Sequence, residues 1–307
     1  MILSYGEILA DLIGVEQGGV LSFERHAGGA PFNVACACTR AGGESGFIGC
    51  VGDDLIGKFL CDFVNKQGLA FTDISVLQSA NTTLAFVELD ESGERRFCFY
   101  RKNTADYRLQ PKSLMLIPQA DIVHLGSLML SEKEGISFAN RLVDVVKRAG
   151  KKLSFDINYR DDIFPNAKAA MRVYAKYAAA ADIVKYSEDE LAMFTGKTGL
   201  AGIREVSRPD KLVCVTLGGR GSAYSIGDRV CTVPSIKVKP VDTTGAGDAF
   251  YGALLSQLDS KDFTTLSDEA LYNVFRFANV AGALATTARG AISSLPTKEE
   301  IEKLLTA

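Results

Sequence analysis

The sequence predicts an α/β fold built on a mostly parallel sheet, and three observations carry that prediction. Short apolar runs alternate with helical patterns through the middle of the chain. Those runs are apolar without alternation, as in strands buried on both faces and joined by helical crossovers. The first third differs, with strand patterns around a polar turn, and reads as a small β-rich excursion from the α/β body.

Taken in order, "MILSYGEILAD" reads as a first strand, and "GGVLSFERHAGG" as strand-like and irregular. "LAFVELD" and "RRFCFYR" flank "ESGE" (91–94), a β-hairpin pattern. "ADIVHLG" (120–126) is a strand, and 135–149 a helix with Ala139, Leu142, Val143 and Val146 on one face and Gly150 as its stop. "KLSFDI" (152–157) is a strand, 167–180 an Ala-rich helix, "ADIVKY" (181–186) a strand, and "KLVCVTLG" (211–218) another. Residues 268–287 form a long, mostly buried helix, and "TKEE" (297–300) is a capping box opening the last one.

The bulk numbers exclude several function classes. The chain has 307 residues, enough for one large domain or two modest ones. A net charge of −3 gives no sign of a nucleic-acid or anionic-membrane partner. No apolar run approaches the ~20 residues of a membrane span. The start carries no basic leader or cleavage site, so a cytoplasmic protein is the simplest reading. Seven cysteines at 36, 38, 50, 61, 98, 214 and 231 show no Cys-x-x-Cys spacing and read as reduced apolar residues. Only His26 and His124 exist, which disfavours a zinc site or a Ser-His-Asp triad, so an acid or base would be a carboxylate.

The richest stretch is "VDTTGAGDAF" (241–250). A helix N-terminus offers unpaired N–H groups and partial positive charge. Glycines let that backbone approach an anion, so Gly245, Ala246 and Gly247 can form an amide nest for a phosphate. Asp248 would project into the same site, where an anion is tolerable if its task is to accept a proton. The plainer reading is a tight turn followed by a first-turn aspartate. Two P-loop near-misses fail: "GDDLIGKF" (52–59) has Phe59 at the Ser/Thr position, and "GKT" (196–198) lacks the earlier glycine. The first strand does not lead into Gly-x-Gly-x-x-Gly either. In "AGGAPFNVACACTRAGG", Gly28-Gly29 permits close backbone approach, and Asn33 offers the donor and acceptor a sugar hydroxyl needs.

Together, "GGAPFNVA", "GCVGDDLIG", "TLGGRG" (216–221), "DTTGAGDAF" and "ANVAGALATTARGAISSLP" resemble the PfkB-type, ribokinase-like carbohydrate kinases over essentially the whole chain. "ERRFCFYR", "HLGSLML" and "FDINYRDDIF" are similar to fructokinases within that family; the last also resembles kinases of 2-keto-3-deoxygluconate, the runner-up substrate. The resemblance implies a single three-layer domain over 1–307, with helices on both faces of the sheet and a lid formed by strands within about 12–30 and 84–102. It implies an ATP-dependent sugar kinase using Mg²⁺; the rival of another class is a non-catalytic sugar- or nucleotide-binding protein on the same fold.

Carried over residue by residue, the resemblance makes Asp248 the catalytic base and Gly245, Ala246 and Gly247 the anion hole. Asp11, Gly28, Gly29 and Asn33 match sugar contacts, while Arg160 and Arg101 are candidates to meet substrate or phosphate. Thr216, Gly218, Gly219 and Gly221 match the nucleotide loop, and Asn279 a contact near adenine. "YSEDEL" departs from the Asn-x-x-Glu motif: Ser187 replaces the Asn, and Glu190 keeps a possible link to magnesium through water. Ser187-x-x-Glu190 is also a plain capping box. Asp242, Thr244, Ala285, Ala288, Gly290 and Ser294 align with a potassium-type monovalent-cation site. Apolar lid edges predict a homodimer.

Overall fold

A computed structural model describes residues 1–89 and 95–306. The chain begins with β1 (Ile2–Tyr5), β2 (Leu9–Gln17), β3 (Val20–Gly28) and α1 (Ala30–Arg40). Next come β4 (Ser45–Gly52), α2 (Leu55–Val64), β5 (Phe71–Leu77), β6 (Leu84–Leu89) and β7 (Arg95–Tyr100). The repeating part follows as β8 (Ile122–Leu125), α3 (Lys133–Arg148), β9 (Lys152–Asp156), α4 (Ala167–Ala180) and β10 (Ile183–Ser187). Then come α5 (Glu188–Thr195), α6 (Gly199–Val206), β11 (Leu212–Thr216), β12 (Ser222–Ile226) and β13 (Arg229–Val233). The chain closes with α7 (Ala246–Leu258), α8 (Asp268–Ala285) and α9 (Lys298–Leu305).

The main sheet has nine strands in the order β13-β12-β11-β10-β9-β8-β1-β4-β5. From β11 to β5 every pairing is parallel; β12 and β13 add an antiparallel edge. Alternate strand residues feed two cores, because successive side chains point to opposite faces. Tyr5, Leu125, Phe155, Val184 and Val215 pack with Phe138, Leu142, Tyr174 and Leu191 from α3, α4 and α5. Ile2, Ile122, Ile183 and Leu212 pack with Val34, Phe250, Leu254 and Phe275 from α1, α7 and α8. The result is three layers, with the parallel strands ending on one edge, where ligands of open α/β sheets bind.

The second sheet has the order β3-β2-β6-β7. Gly18 and Gly19, at φ 60° and 78°, join β2 to β3 in the left-handed geometry of a type I′ turn. β6 pairs antiparallel with β7; the "ESGE" turn between them lies outside the described residues. Leu9 and Ala85 face the body against Leu128. The other face carries a row of rings, Phe23 to Phe86 and Phe86 to Tyr100, each pair 5.1 Å between centroids.

Two expectations are corrected here. "MILSYGEILAD" is not one strand: the chain changes sheets at Gly6, whose φ is 156° and where a Cβ would stand 2.6 Å from Pro31 Cγ. "GGVLSFERHAGG" is not irregular but supplies β3, a nine-residue strand paired along its whole length with β2. The second sheet therefore occupies 9–28 and 84–100. Among the described residues no helix is long and apolar enough to cross a membrane.

Candidate active site

The N-terminus of α7 is the centre of the site. Gly245 is its cap at φ 74°, a left-handed conformation that glycine adopts without strain. A Cβ on Gly245 would lie 2.8 Å from the Ala291 Cβ, so packing also demands glycine. Ala246 donates its N–H to Thr243 O at 3.3 Å and so closes the turn. The N–H groups of Gly245, Gly247 and Asp248 donate to no backbone carbonyl among the described residues, which leaves three donors at the positive end of the helix dipole. Of the three amides expected to form a nest, Ala246 is engaged within the turn, while Gly245, Gly247 and the following Asp248 bond to no backbone carbonyl among the described residues.

Asp248, in the first turn of α7, accepts a hydrogen bond from Asn33 Nδ2 at 2.8 Å. Burial pushes its carboxyl above the ordinary range, opposed by that hydrogen bond and by Lys185 and Arg160 nearby. Asn33 is held in α1, its own N–H bonded to Gly29 O, and its buried Oδ1 has no partner. An orphaned acceptor beside a carboxylate suits a ligand that brings hydroxyl donors.

Asp11 lies in β2, on the second sheet. A Cβ on Gly28 would stand 2.3 Å from Asp11 Oδ2, so that glycine makes room for the carboxylate. Gly29, at φ 117°, lets the chain leave the second sheet; a Cβ there would meet Glu7 O at 2.4 Å. Arg160 follows β9, its Nη1 bonded to Tyr159 O at 3.0 Å, with its charge felt by Asp248 and Asp156. Arg101 follows β7 and lines a second cavity of about 760 Å³ with Phe99, Glu132 and Asp162. The structure thus pairs Asn33 with Asp248, brings the charge of Arg160 near them, and sets Asp11 on the second sheet with Arg101 just beyond its last strand.

Sequence reasoning missed Lys185. This β10 side chain is 7% exposed and donates to both oxygens of Asp156 at 2.7 and 2.9 Å. A Cβ on Gly247 would stand 3.4 Å from its Nζ, which puts a buried ammonium beside the α7 amides. Burial pulls its proton off, but Asp156, Glu190 and Asp248 outweigh that and hold Lys185 in the ammonium form. The signal was present: a lysine and an aspartate inside otherwise apolar strands are seldom buried without a task or a partner.

On the other side of α7 lies a cavity of about 550 Å³. Thr216, Gly218, Gly219, Gly221, Asn279 and Gly247 all line it, with Ile236, Val238 and Phe250. Gly218 and Gly221 turn at φ 58° and 107°, and a Cβ on Gly221 would meet Val233 O at 2.2 Å. Asn279 donates to Val233 O at 2.9 Å, so it holds the cavity wall together as well as facing it. A largely apolar slot leading to a helix N-terminus suits an aromatic base with phosphates behind it.

Ser187 is not part of that lining: its hydroxyl caps α5 in a full capping box with Glu190. Glu190 accepts from Tyr159 N at 2.7 Å and Ser187 N at 2.6 Å, so both its oxygens are engaged. No group of three His, Cys, Asp or Glu that could hold a metal occurs among the described residues. In the 242–294 loops, Asp242 accepts from Thr244 N at 2.8 Å and Gly290 N at 3.0 Å, and the buried Ser294 Oγ has no partner. Gly290 links the two, donating to Asp242 and accepting from Ser294 N, so the orphaned hydroxyl and the carboxylate belong to one loop of hard oxygen donors that suits a monovalent cation. The P-loop near-miss is excluded physically: Asp54 itself fills the α2 N-terminus, accepting from Gly57 N and from the N–H and hydroxyl of Thr82.

The pattern of the pfkB family carbohydrate kinases matches residues 1–298. Fructokinase-1 of Zea mays is 40% identical over 99% of this chain and 97% of its own. The structure of the Xylella fastidiosa fructokinase with bound ATP superposes with a TM-score of 0.90 at 31% identity, covering 99% of this chain and 98% of that one. The Vibrio cholerae O395 fructokinase holding fructose, ADP and a calcium ion gives 0.89 at 32% identity, with the same coverage. A whole-length family match and relatives at this identity, on a site with this geometry, make the chain a member of the pfkB family of carbohydrate kinases, phosphotransferases with a sugar hydroxyl as acceptor.

Proposed function

We propose that this kinase is a fructokinase, transferring the γ-phosphoryl group of ATP to a primary hydroxyl of fructose. One observation carries the reading: the nucleotide-sized cavity ends at the α7 amides, and the next side chain is Asp248, held by Asn33. Fructokinases at about this similarity, one of them holding fructose and ADP, support the choice of sugar.

In this mechanism Asp11, Asn33 and Arg160 orient the sugar so that one hydroxyl points at Asp248. Asp248 takes the hydroxyl proton as the oxygen attacks the γ-phosphorus in line, and the bridging oxygen leaves on ADP. Burial raises its pKa above the ordinary carboxylate value, which makes it a stronger base toward the hydroxyl proton. The free amides of Gly245, Gly247 and Asp248, with Lys185, stabilise charge on the transferring group; one such donor is worth about 3 kcal/mol. The cavity wall at Thr216–Gly221 and Asn279 holds the nucleotide. Magnesium, when bound with ATP, neutralises phosphate charge and is held by phosphates and water. Asp242 and Ser294 would hold a potassium-type ion, which stiffens the turn into α7.

The whole chain acts as one domain, with the second sheet as a lid that excludes water during transfer. Its outer face exposes Leu21 (61%), Phe23 (41%) and Tyr100 (62%), and a second copy of this chain covers it. Sedimentation should show a dimer that Phe23→Glu dissociates; a monomeric parent protein refutes that arrangement.

The test is ADP release across a sugar panel with the parent protein and Asp248→Asn. Fructose should lead, and the variant should lose 10²–10⁴-fold in rate with ATP binding retained. Faster turnover of 2-keto-3-deoxygluconate overturns the substrate, and binding without turnover overturns the kinase reading.

A further inference from the structure

Four chain crossings join the second sheet to the body: the approach to β2 at Glu7–Ile8, the exit from β3 at Gly29, the approach to β6 at Thr83 and the exit from β7 at Arg101. Two of the four meet on one side chain. Asp106 lies in the loop after β7, and its carboxylate is fully buried. Its Oδ1 accepts from Thr83 Oγ1 at 2.5 Å and Thr104 Oγ1 at 2.7 Å; its Oδ2 accepts from Arg101 Nε at 2.6 Å. A single carboxylate thus fastens both roots of the β6–β7 hairpin.

Arg101 extends the connection. Its Nη1 donates to Ser131 Oγ, which is itself bonded to Leu128 O on the body. Its buried Nη2 has no partner. The β6–β7 register puts Phe99 opposite Ala85, and Ala85 lies beside Asp11. Arg101 directly follows β7 and reaches Ser131 on the body, so it lies under the second sheet, nearer the crossings than Asp11. A guanidinium pinned at two nitrogens, with the third unsatisfied, has one direction left in which to bind.

We infer that Asp106 is a positioning residue for the acceptor sugar. It fixes the Arg101 fork so that Nη2 is presented to a sugar oxygen under the second sheet, and it holds the hairpin roots at one height above the body. The inference rests on the sugar-kinase reading above, and it adds a residue that contacts no substrate. Asn in place of Asp106 keeps the size but turns an N–H₂ toward one of its donors, so the fork is released or misdirected.

The experiment measures KM for sugar, KM for ATP and kcat in Asp106→Asn, Arg101→Lys, the double variant and Thr83→Val. The sugar is whichever one the parent protein phosphorylates fastest, so a wrong guess of fructose does not decide the outcome. The inference expects the sugar KM of Asp106→Asn to rise tenfold or more, with the ATP KM within twofold and kcat falling less than the sugar KM rises. The double variant should be no worse than Arg101→Lys alone, because both changes remove one interaction. Should Asp106→Asn not fold, Thr83→Val carries the test, since it removes one of three donors and leaves the ion pair; a threefold rise in sugar KM is then expected. An unchanged sugar KM in a folded variant, equal rises in both KM values, or additive losses in the double variant overturns the inference.

Discussion

Gly247→Ala should separate stability from catalysis. Gly247 is the second residue of α7 and is not among the glycines with positive φ, so alanine fits its backbone. The nearest atoms to the new methyl would be Lys185 Nζ at 3.4 Å and Cε at 3.5 Å, the far end of a flexible side chain. Alanine gains up to about 1 kcal/mol over glycine in a helix interior and about half that in a first turn. For a chain of this size that is a rise of about 1–2 °C in Tm. The same methyl would fill the space between the Gly247 N–H and the Lys185 ammonium, where the transferring phosphoryl oxygens are proposed to lie. Loss of one such donor costs about 3 kcal/mol, or roughly 100-fold in kcat. Calorimetry together with coupled ADP release at saturating ATP and fructose reads both effects. A Tm that rises while kcat stays at the parent level refutes the reasoning, because the space over Gly247 would then be idle during transfer.

Three further outcomes follow from the same geometry. Lys185→Met leaves the Asp156 carboxylate buried and unpaired, which should cost about 3–5 kcal/mol in urea unfolding and at least about 100-fold in kcat. Adding Asp156→Leu should recover much of the stability and none of the rate; recovery of the rate contradicts a role for the ammonium. Glu7 is wholly buried, and burial pushes its carboxyl up to about 8 from 4.5. Between those values the unfolded chain releases a proton that the folded one keeps, so stability falls as pH rises through the window and levels off above it. The loss is at most about 4–5 kcal/mol. Glu7→Gln should therefore gain on the parent between pH 5 and pH 8, and a constant difference contradicts the assignment. Exchange of potassium for a bulky organic cation should lower kcat if Asp242 and Ser294 brace the α7 turn through an ion; equal rates count against that site.

How much could be read in advance depends on how local each determinant is. The parallel strands and crossover helices were legible because burial on both faces leaves continuous apolar runs, and 167–180 was read to the residue. The change of sheet at Gly6 was not, since it depends on Pro31 and Gly126, which reach it only through tertiary packing. The stretch 242–250 showed an amide nest and a carboxylate, but not that Thr243 takes the Ala246 N–H. Lys185 left a trace as a charge in an apolar strand. Asp106 left none: its partners Thr83 and Arg101 meet it only because β6 pairs with β7.

The central claim is that phosphoryl transfer happens where the α7 amides meet Asp248. The most direct measurement is a crystal structure of the protein with a non-hydrolysable ATP analogue and fructose. The account predicts the terminal phosphate within hydrogen-bond reach of the Gly245, Gly247 and Asp248 N–H groups, with a sugar hydroxyl between it and the Asp248 carboxylate. A terminal phosphate bound away from α7, or an Asp248 side chain turned out to solvent, contradicts it.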